Sequence, residues 1–355
     1  MILIVALLFL PLTFLKSPQD FWGAVVTAMF TTAMAVILIV VGASLDYGTC
    51  ATDREMPSLK FTNVFLAFGT LLFAYGGHGC IPTIQHDMKK PFEFTKSCIL
   101  AFTIIAMLYL PVCIAGYLTY GDSIRDSIIN SVQITWIQQG VNMAITLHCF
   151  LSLTIMFNPL MQEAEVVFNV PQAFGIKRVI VRTGVMAAVI IVAETVPSFG
   201  PLLDLVGAST MTFTSLILPC VFYLCLSSKN GKASGHQVHT MKLDIDSPPS
   251  VKHAQQEKDN SSFKEIIERS DKKTLILCGV ILVIAVLGGG AAACSAIREI
   301  SYTKFVPPCY FALFQNEEIK LPGLGNTHCC GAYQNITRYG DSSKYCAATK
   351  LGQYI

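Results

Sequence analysis

The sequence predicts an all-α fold, a polytopic bundle of membrane-spanning helices. Hydrophobic residues fill 53% of the 355 positions and charged residues only 14%, the wrong balance for a surface that faces water. Apolar runs near the length that crosses a bilayer core of about 30 Å, roughly 20 residues, recur along the chain. The 25 Lys and Arg residues avoid the middle of every such run.

Eight segments read as spans: 1–15, 21–45, 61–84, 97–120, 134–157, 179–196, 201–226 and 274–297. The first is short, and with no basic flank or small-residue cleavage site it reads as a helix cut at its start rather than a signal peptide. The fourth carries Pro111, which removes a helix hydrogen bond and should bend it. Only 197–200 separates the sixth and seventh, which should therefore be antiparallel neighbours.

The expected organisation is a seven-span membrane domain at 1–226 with a broken third helix, and a flexible cytoplasmic linker at 227–273. A last span at 274–297 and a Cys-containing tail at 298–355 complete it. The linker is rich in Lys, Ser, Asp and Gln around the pair Pro248 and Pro249, and has too little apolar clustering to fold.

Sixteen of the basic residues fall on one side of this layout, including Lys16, Lys89, Lys90, Lys96, Lys177, Arg178, Arg182 and those of the linker. The positive-inside rule makes that side cytoplasmic, so both chain ends face away from the cytoplasm. The tail agrees: it holds Cys309, Cys329, Cys330 and Cys346 and a glycosylation sequon at Asn335, features suited to an extracellular or luminal setting. A second sequon, at Asn260, would face the cytoplasm and stay unused.

The third span departs from the rest. Its apolar run gives way to Tyr75, Gly76, Gly77, His78 and Gly79, with Pro82 shortly after, a composition that disfavours a continuous helix. Unwound backbone is tolerated at membrane depth only where protein or a water-filled cavity shields it. Transporters use such breaks to hold the carboxylate and amine of an amino acid, or a coupling ion. The competing reading is helix packing through small residues, which would space the glycines four apart instead of clustering them. His78 has three open roles: titration, ligand contact or a hydrogen bond to a neighbour.

Polar residues elsewhere in the spans are few. Thr146, His148, Ser152, Thr154 and Asn158 give the fifth a polar side, making His148 and Thr154 pocket candidates; interhelical hydrogen bonding explains them equally well. Glu194 and Asp204 near span ends read as solvated or capping groups ahead of the alternative, proton coupling. There is no phosphate loop, zinc-ligand spacing or nucleophile elbow, so no enzyme is expected. The linker's basic residues alternate with acids, which argues against nucleic-acid binding.

The run FAYGGHGCIPTIQHDMKKPFEF at 73–94 resembles the broken sixth helix of the amino acid/auxin permease family, which includes vesicular inhibitory amino-acid and proton-coupled amino-acid transporters. PLTFLKSPQDFW at 11–22, AGYLTYGD at 115–122 and VPSFGPLLDLVGAS at 196–209 extend the resemblance. It implies a LeuT-type inverted-repeat fold, N-terminally incomplete and lacking the family's first three helices. It also implies substrate contact at Tyr75, Gly76, Gly77, His78 and Gly79.

The expected function is secondary active transport of small amino acids by alternating access, with a proton or sodium as coupling ion and no metal or organic cofactor. The setting is a plasma or endolysosomal/vesicular membrane. The second expectation is a non-transporting short isoform that associates with full-length homologous partners.

Overall fold

A computed structural model describes residues 22–52, 54–56, 58–125, 127–171, 175–195, 199–227, 271–302, 329–331 and 335–338, together with Ala6, Phe9, Leu10 and Cys346. Most of the expected first span, the linker at 228–270 with Asn260, and most of the tail with Cys309 lie outside the described residues. Among the described residues the secondary structure is helical, apart from one isolated antiparallel bridge between Cys330 and Ile336.

The helices are α1 (Trp22–Cys50), α2 (Phe61–Ala74), α3 (Ile81–Asp87), α4 (Phe94–Tyr120), α5 (Thr135–Val167), α6 (Ile176–Thr195), α7 (Phe199–Val206) and α8 (Lys272–Tyr302). After Val206 the helix of α7 continues through π-helical turns at Gly207–Met211 and Phe213–Ile217. Among the described residues, four stretches are long and apolar enough to cross a membrane: Gly23–Cys50, Pro91–Ser123, Gly200–Ser227 and Lys272–Tyr302. α2 is a shorter apolar helix of 14 residues. α4 runs on through Pro111, and α5 continues past the expected boundary at Phe157 to Val167.

The chain forms two compact units. The first comprises Met1–Ser58, Thr95–Ser198 and Phe305–Ile355. Its axis is the pairing of α1 with α5. Ala28, Thr31, Ala35, Ile39, Gly42, Ala43, Asp46 and Cys50 recur every three or four residues of α1 and are all buried, while Val26, Phe30, Ile37 and Val41 on other faces are exposed. Small residues dominate the buried stripe because membrane helices gain by close approach rather than by escaping water. Ala35 and Ile39 pack with Val132, Ile134, Ile137 and Val141, and a Cβ on Gly42 would stand 3.0 Å from Val132 Cγ1.

At the end of α1 the tail is fastened by a disulfide between Cys50 and Cys330, and a second disulfide joins Cys329 to Cys346. Beside it, fully buried Asp46 accepts hydrogen bonds from Tyr120 Oη (2.8 Å), the Gln133 backbone N–H (2.8 Å) and Arg338 Nη1 (3.2 Å). At the α5–α6 connection, Arg178 and Arg182 both donate through Nε to Glu165 Oε1, at 2.7 and 2.5 Å, and all three residues are buried.

The second unit comprises Leu59–Phe94 and Phe199–Lys304. Here α2 crosses the helix of α7 with backbone on backbone: a Cβ on Gly207 would stand 2.0 Å from the Gly69 carbonyl oxygen, and one on Gly69 would stand 2.7 Å from that of Asp204. α8 closes against the same place, where a Cβ on Gly289 would meet Thr212 Cγ2 at 2.7 Å and the Ala208 carbonyl at 3.0 Å. Three glycines on three helices thus set the separation of this unit.

Candidate functional site

The helix beginning at Phe61 stops at Ala74. Tyr75 N–H still bonds the Leu71 carbonyl at 3.0 Å, Gly76 N–H shifts to the nearer Phe73 carbonyl at 3.0 Å, and Gly77 then turns to φ +124°. Side-chain-bearing residues rarely adopt that conformation, which is the reason glycine stands there. A single 3₁₀ turn, His78–Cys80, leads into α3, where Pro82 occupies the second position and its missing N–H breaks no helical bond. The Leu71 and Phe73 carbonyls thus keep donors in Tyr75 and Gly76, and the regular bonding of a continuous helix ends there.

The neighbourhood of the break is irregular too. A Cβ on Gly76 would stand 2.9 Å from Met211 Sδ in the first π turn, and the His78–Cys80 turn lies against the second, Phe213–Ile217. π turns shift the hydrogen-bond register of a helix and often mark functional positions. In the second of them Ser215 is 8% exposed, and its Oγ has no hydrogen-bond partner among the described residues. Ser209 and Thr214 on the same helix instead donate to the carbonyls of Leu205 and Thr210.

Tyr75, Gly76 and His78 are half-buried, while Gly77 and Gly79 are exposed with nothing within 4 Å of where a Cβ would be. The arrangement offers main-chain groups, an imidazole and a phenol beside open space.

The remaining sequence candidates lie in the other unit. His148 on α5 bonds across to α1: Nδ1 is 3.0 Å from the Ala28 carbonyl and 2.7 Å from Thr32 Oγ1, and Nε2 is 3.3 Å from Ser152 Oγ. The Nδ1 contacts tie α5 to α1, and the Nε2 contact stays within α5. Thr154 is in α5, and its side chain lies outside the described residues. Asn335 is exposed, next to Ile336, which bridges to Cys330.

Asp46, Tyr120, Glu165, Arg178, Arg182, Thr70 and Ser215 were not singled out as site residues from the sequence. The spacing of Arg178 and Arg182, one turn apart on α6, was the available signal for the buried cluster. Burial alone would raise the Glu165 carboxyl, but the hydrogen bonds and charges of Arg182 and Arg178 outweigh it and hold the group below the usual carboxylate range.

The described helices are those of a helical membrane protein, with the break after Ala74 beside π-helical turns. Residues 1–245 match the family described as transmembrane amino acid transporter protein, and the chain belongs to that family, the amino acid/auxin permeases. It is a family of transporters and not of enzymes.

The chain is similar to three proteins of Arabidopsis thaliana. With amino acid transporter AVT1J it shares 28% identity over 233 residues, covering 64% of this chain and 54% of that protein. With amino acid transporter AVT1H it shares 28%, covering 50% and 43%. With lysine histidine transporter-like 4 it shares 28%, covering 58% and 47%. The chain spans about half the length of these relatives. No solved structure matches it.

Proposed function

We propose that this chain is a secondary transporter of small neutral amino acids that works by alternating access, with Tyr75, Gly76, Gly77, His78 and Gly79 contacting the substrate. The observation that carries the reading is the interruption of α2 at Gly77, which leaves main-chain groups beside open space within an otherwise apolar helix. Such groups can meet a carboxylate and an ammonium without a charged side chain. Membership of a transporter family, and relatives named as amino acid transporters, support the same reading.

The tail is extracellular or luminal in this proposal. The disulfide between Cys50 and Cys330 supports it, since it needs both residues on one oxidising side, as does exposed Asn335 as a glycan acceptor.

The test is uptake of a panel of radiolabelled amino acids into cells expressing the full chain, with surface biotinylation as control. Accumulation of a small neutral amino acid above mock-transfected cells supports transport. Background uptake at normal surface level counts against it and favours the second reading, a non-transporting chain that associates with full-length homologues.

A further inference from the structure

Asp204 is the one charged side chain between Phe199 and Ser227, and it lies against the interrupted helix. Thr70 Oγ1 on α2 donates to Asp204 Oδ1. The neighbouring glycine, Gly69, is where main chain meets main chain, with the Asp204 carbonyl oxygen 2.7 Å from a Cβ built there. The carboxylate is therefore presented to Thr70 by the closest backbone crossing in the unit.

The elements packed around it bring no cation. α2 carries no ionisable side chain; Tyr75 and His78 lie beyond its end. The continuation of α7 to Ser227 adds only Cys220, Tyr223 and Cys225. α8 has Lys272, Lys273, Arg298 and Glu299 at its ends and only the thiols Cys278 and Cys294 between them. Among the described residues no ion pair includes Asp204. A carboxylate within an apolar span and without a cationic partner is costly as an anion, and such groups mark ion and proton pathways.

We propose that Asp204 is the proton-carrying group of this transporter, an inference that rests on the transport reading above. A proton arriving on a carboxylate oxygen cancels the charge, and no other bond is made or broken. Thr70 Oγ1 also lies 3.2 Å from the Leu66 carbonyl, so its hydroxyl has a second acceptor on its own helix when Asp204 is neutral. The protonation state of Asp204 thereby reaches the helix that ends at the break. One hydroxyl and one carboxylate suit a proton better than a metal cation, which takes a shell of several oxygens.

The test uses the full chain in proteoliposomes with a labelled mixture of glycine, alanine, serine and proline. Exchange at equal pH on both sides reads transport, and accumulation driven by an inward proton gradient reads coupling. For the wild type, one pH unit should support up to about tenfold accumulation if one proton moves per substrate. Asp204→Asn should lose the response to the gradient and the pH dependence of exchange, and Asp204→Glu should restore both.

Gradient-driven accumulation by Asp204→Asn would overturn the proposal, as would a wild type driven by sodium and indifferent to protons. Loss of exchange in both variants, with normal monodisperse elution, would mark Asp204 as a packing residue and equally overturn it. Absence of exchange in the wild type would instead defeat the transport reading and this inference with it.

Discussion

Arg338 reaches Asp46 from 292 residues away: its Nη1 lies 3.2 Å from Asp46 Oδ1 and also donates to the Leu45 carbonyl. Asp46 is fully buried, so without partners it would carry most of the cost of a dehydrated charge. Tyr120, the Gln133 main chain and Arg338 supply them from α4, from the segment before α5 and from the tail. One carboxylate thereby fixes three parts of the chain to the end of α1.

Asp46→Ala should accordingly be among the most damaging changes in this unit. It strands the buried Tyr120 hydroxyl and Gln133 N–H, at about 1–3 kcal/mol each. Arg338→Gln should cost less, because Arg338 is 26% exposed and Asp46 keeps its other two donors. Thermal unfolding in detergent should rank the two in that order, and equal losses would contradict the account.

Glu165 lies beyond the expected end of its span and should give a pH-dependent contribution. Its carboxyl is held below the usual range in the folded protein, so its stabilisation is complete above that range. It is lost as pH falls through the usual carboxylate range towards the lowered folded value. Glu165→Gln leaves two buried guanidiniums without their anion and should destabilise by about 3–5 kcal/mol at neutral pH. Melting curves of both proteins should converge on acidification; a constant gap from pH 7 to pH 3 would contradict this.

Gly77→Leu should abolish transport while leaving membrane insertion intact. The space around Gly77 is open, so the cost comes from φ +124°, about 1–3 kcal/mol of backbone strain that a return towards regular helix would relieve. Undiminished uptake by a variant at normal surface level would remove this glycine from the site.

Gly207→Ala and Gly79→Ala separate packing from conformation. The first puts a methyl group 2.0 Å from the Gly69 carbonyl oxygen and must push the two helices apart, at a cost of at least about 1–3 kcal/mol. The second meets nothing within 4 Å and should change stability by no more than about 0.5 kcal/mol. Detergent melts that fail to distinguish them would refute the backbone crossing.

Ser215→Ala removes a buried hydroxyl with no described partner, so stability should hold or rise slightly. If the hydroxyl faces the substrate path, KM should rise several-fold with the maximal rate little changed. Concentration-dependent uptake beside a melting curve reads both quantities.

Helical character and the interrupted segment were legible in the sequence because both are local. Twenty apolar residues in a row, or glycines at 76, 77 and 79 before Pro82, constrain the backbone whatever surrounds them. The extra turns of α5 beyond Phe157 were not legible: they continue through Met161 and Glu165, where the apolar run fades but helix propensity remains. Pairings across the chain were hidden for a different reason. Nothing near Asp46 announces Arg338, and nothing near Thr70 announces Asp204, since each bond exists only after distant helices have met. His148 read equally as a pocket or a bonding group, and only the arrival of Ala28 and Thr32 from α1 supplies its interhelical bonds.

The staple from Cys50 to Cys330 has a consequence for how the protein is made. Its two cysteines are 280 residues apart, so the first must wait as a thiol while nearly all the intervening helices are translated and inserted. Until that bond closes, Cys50 is available to oxidoreductases and to wrong partners such as Cys329 or Cys346. In the extracellular or luminal placement proposed above, the bond closes only after every helix between the two cysteines has been made, so the tail is the last part to be joined to the end of α1.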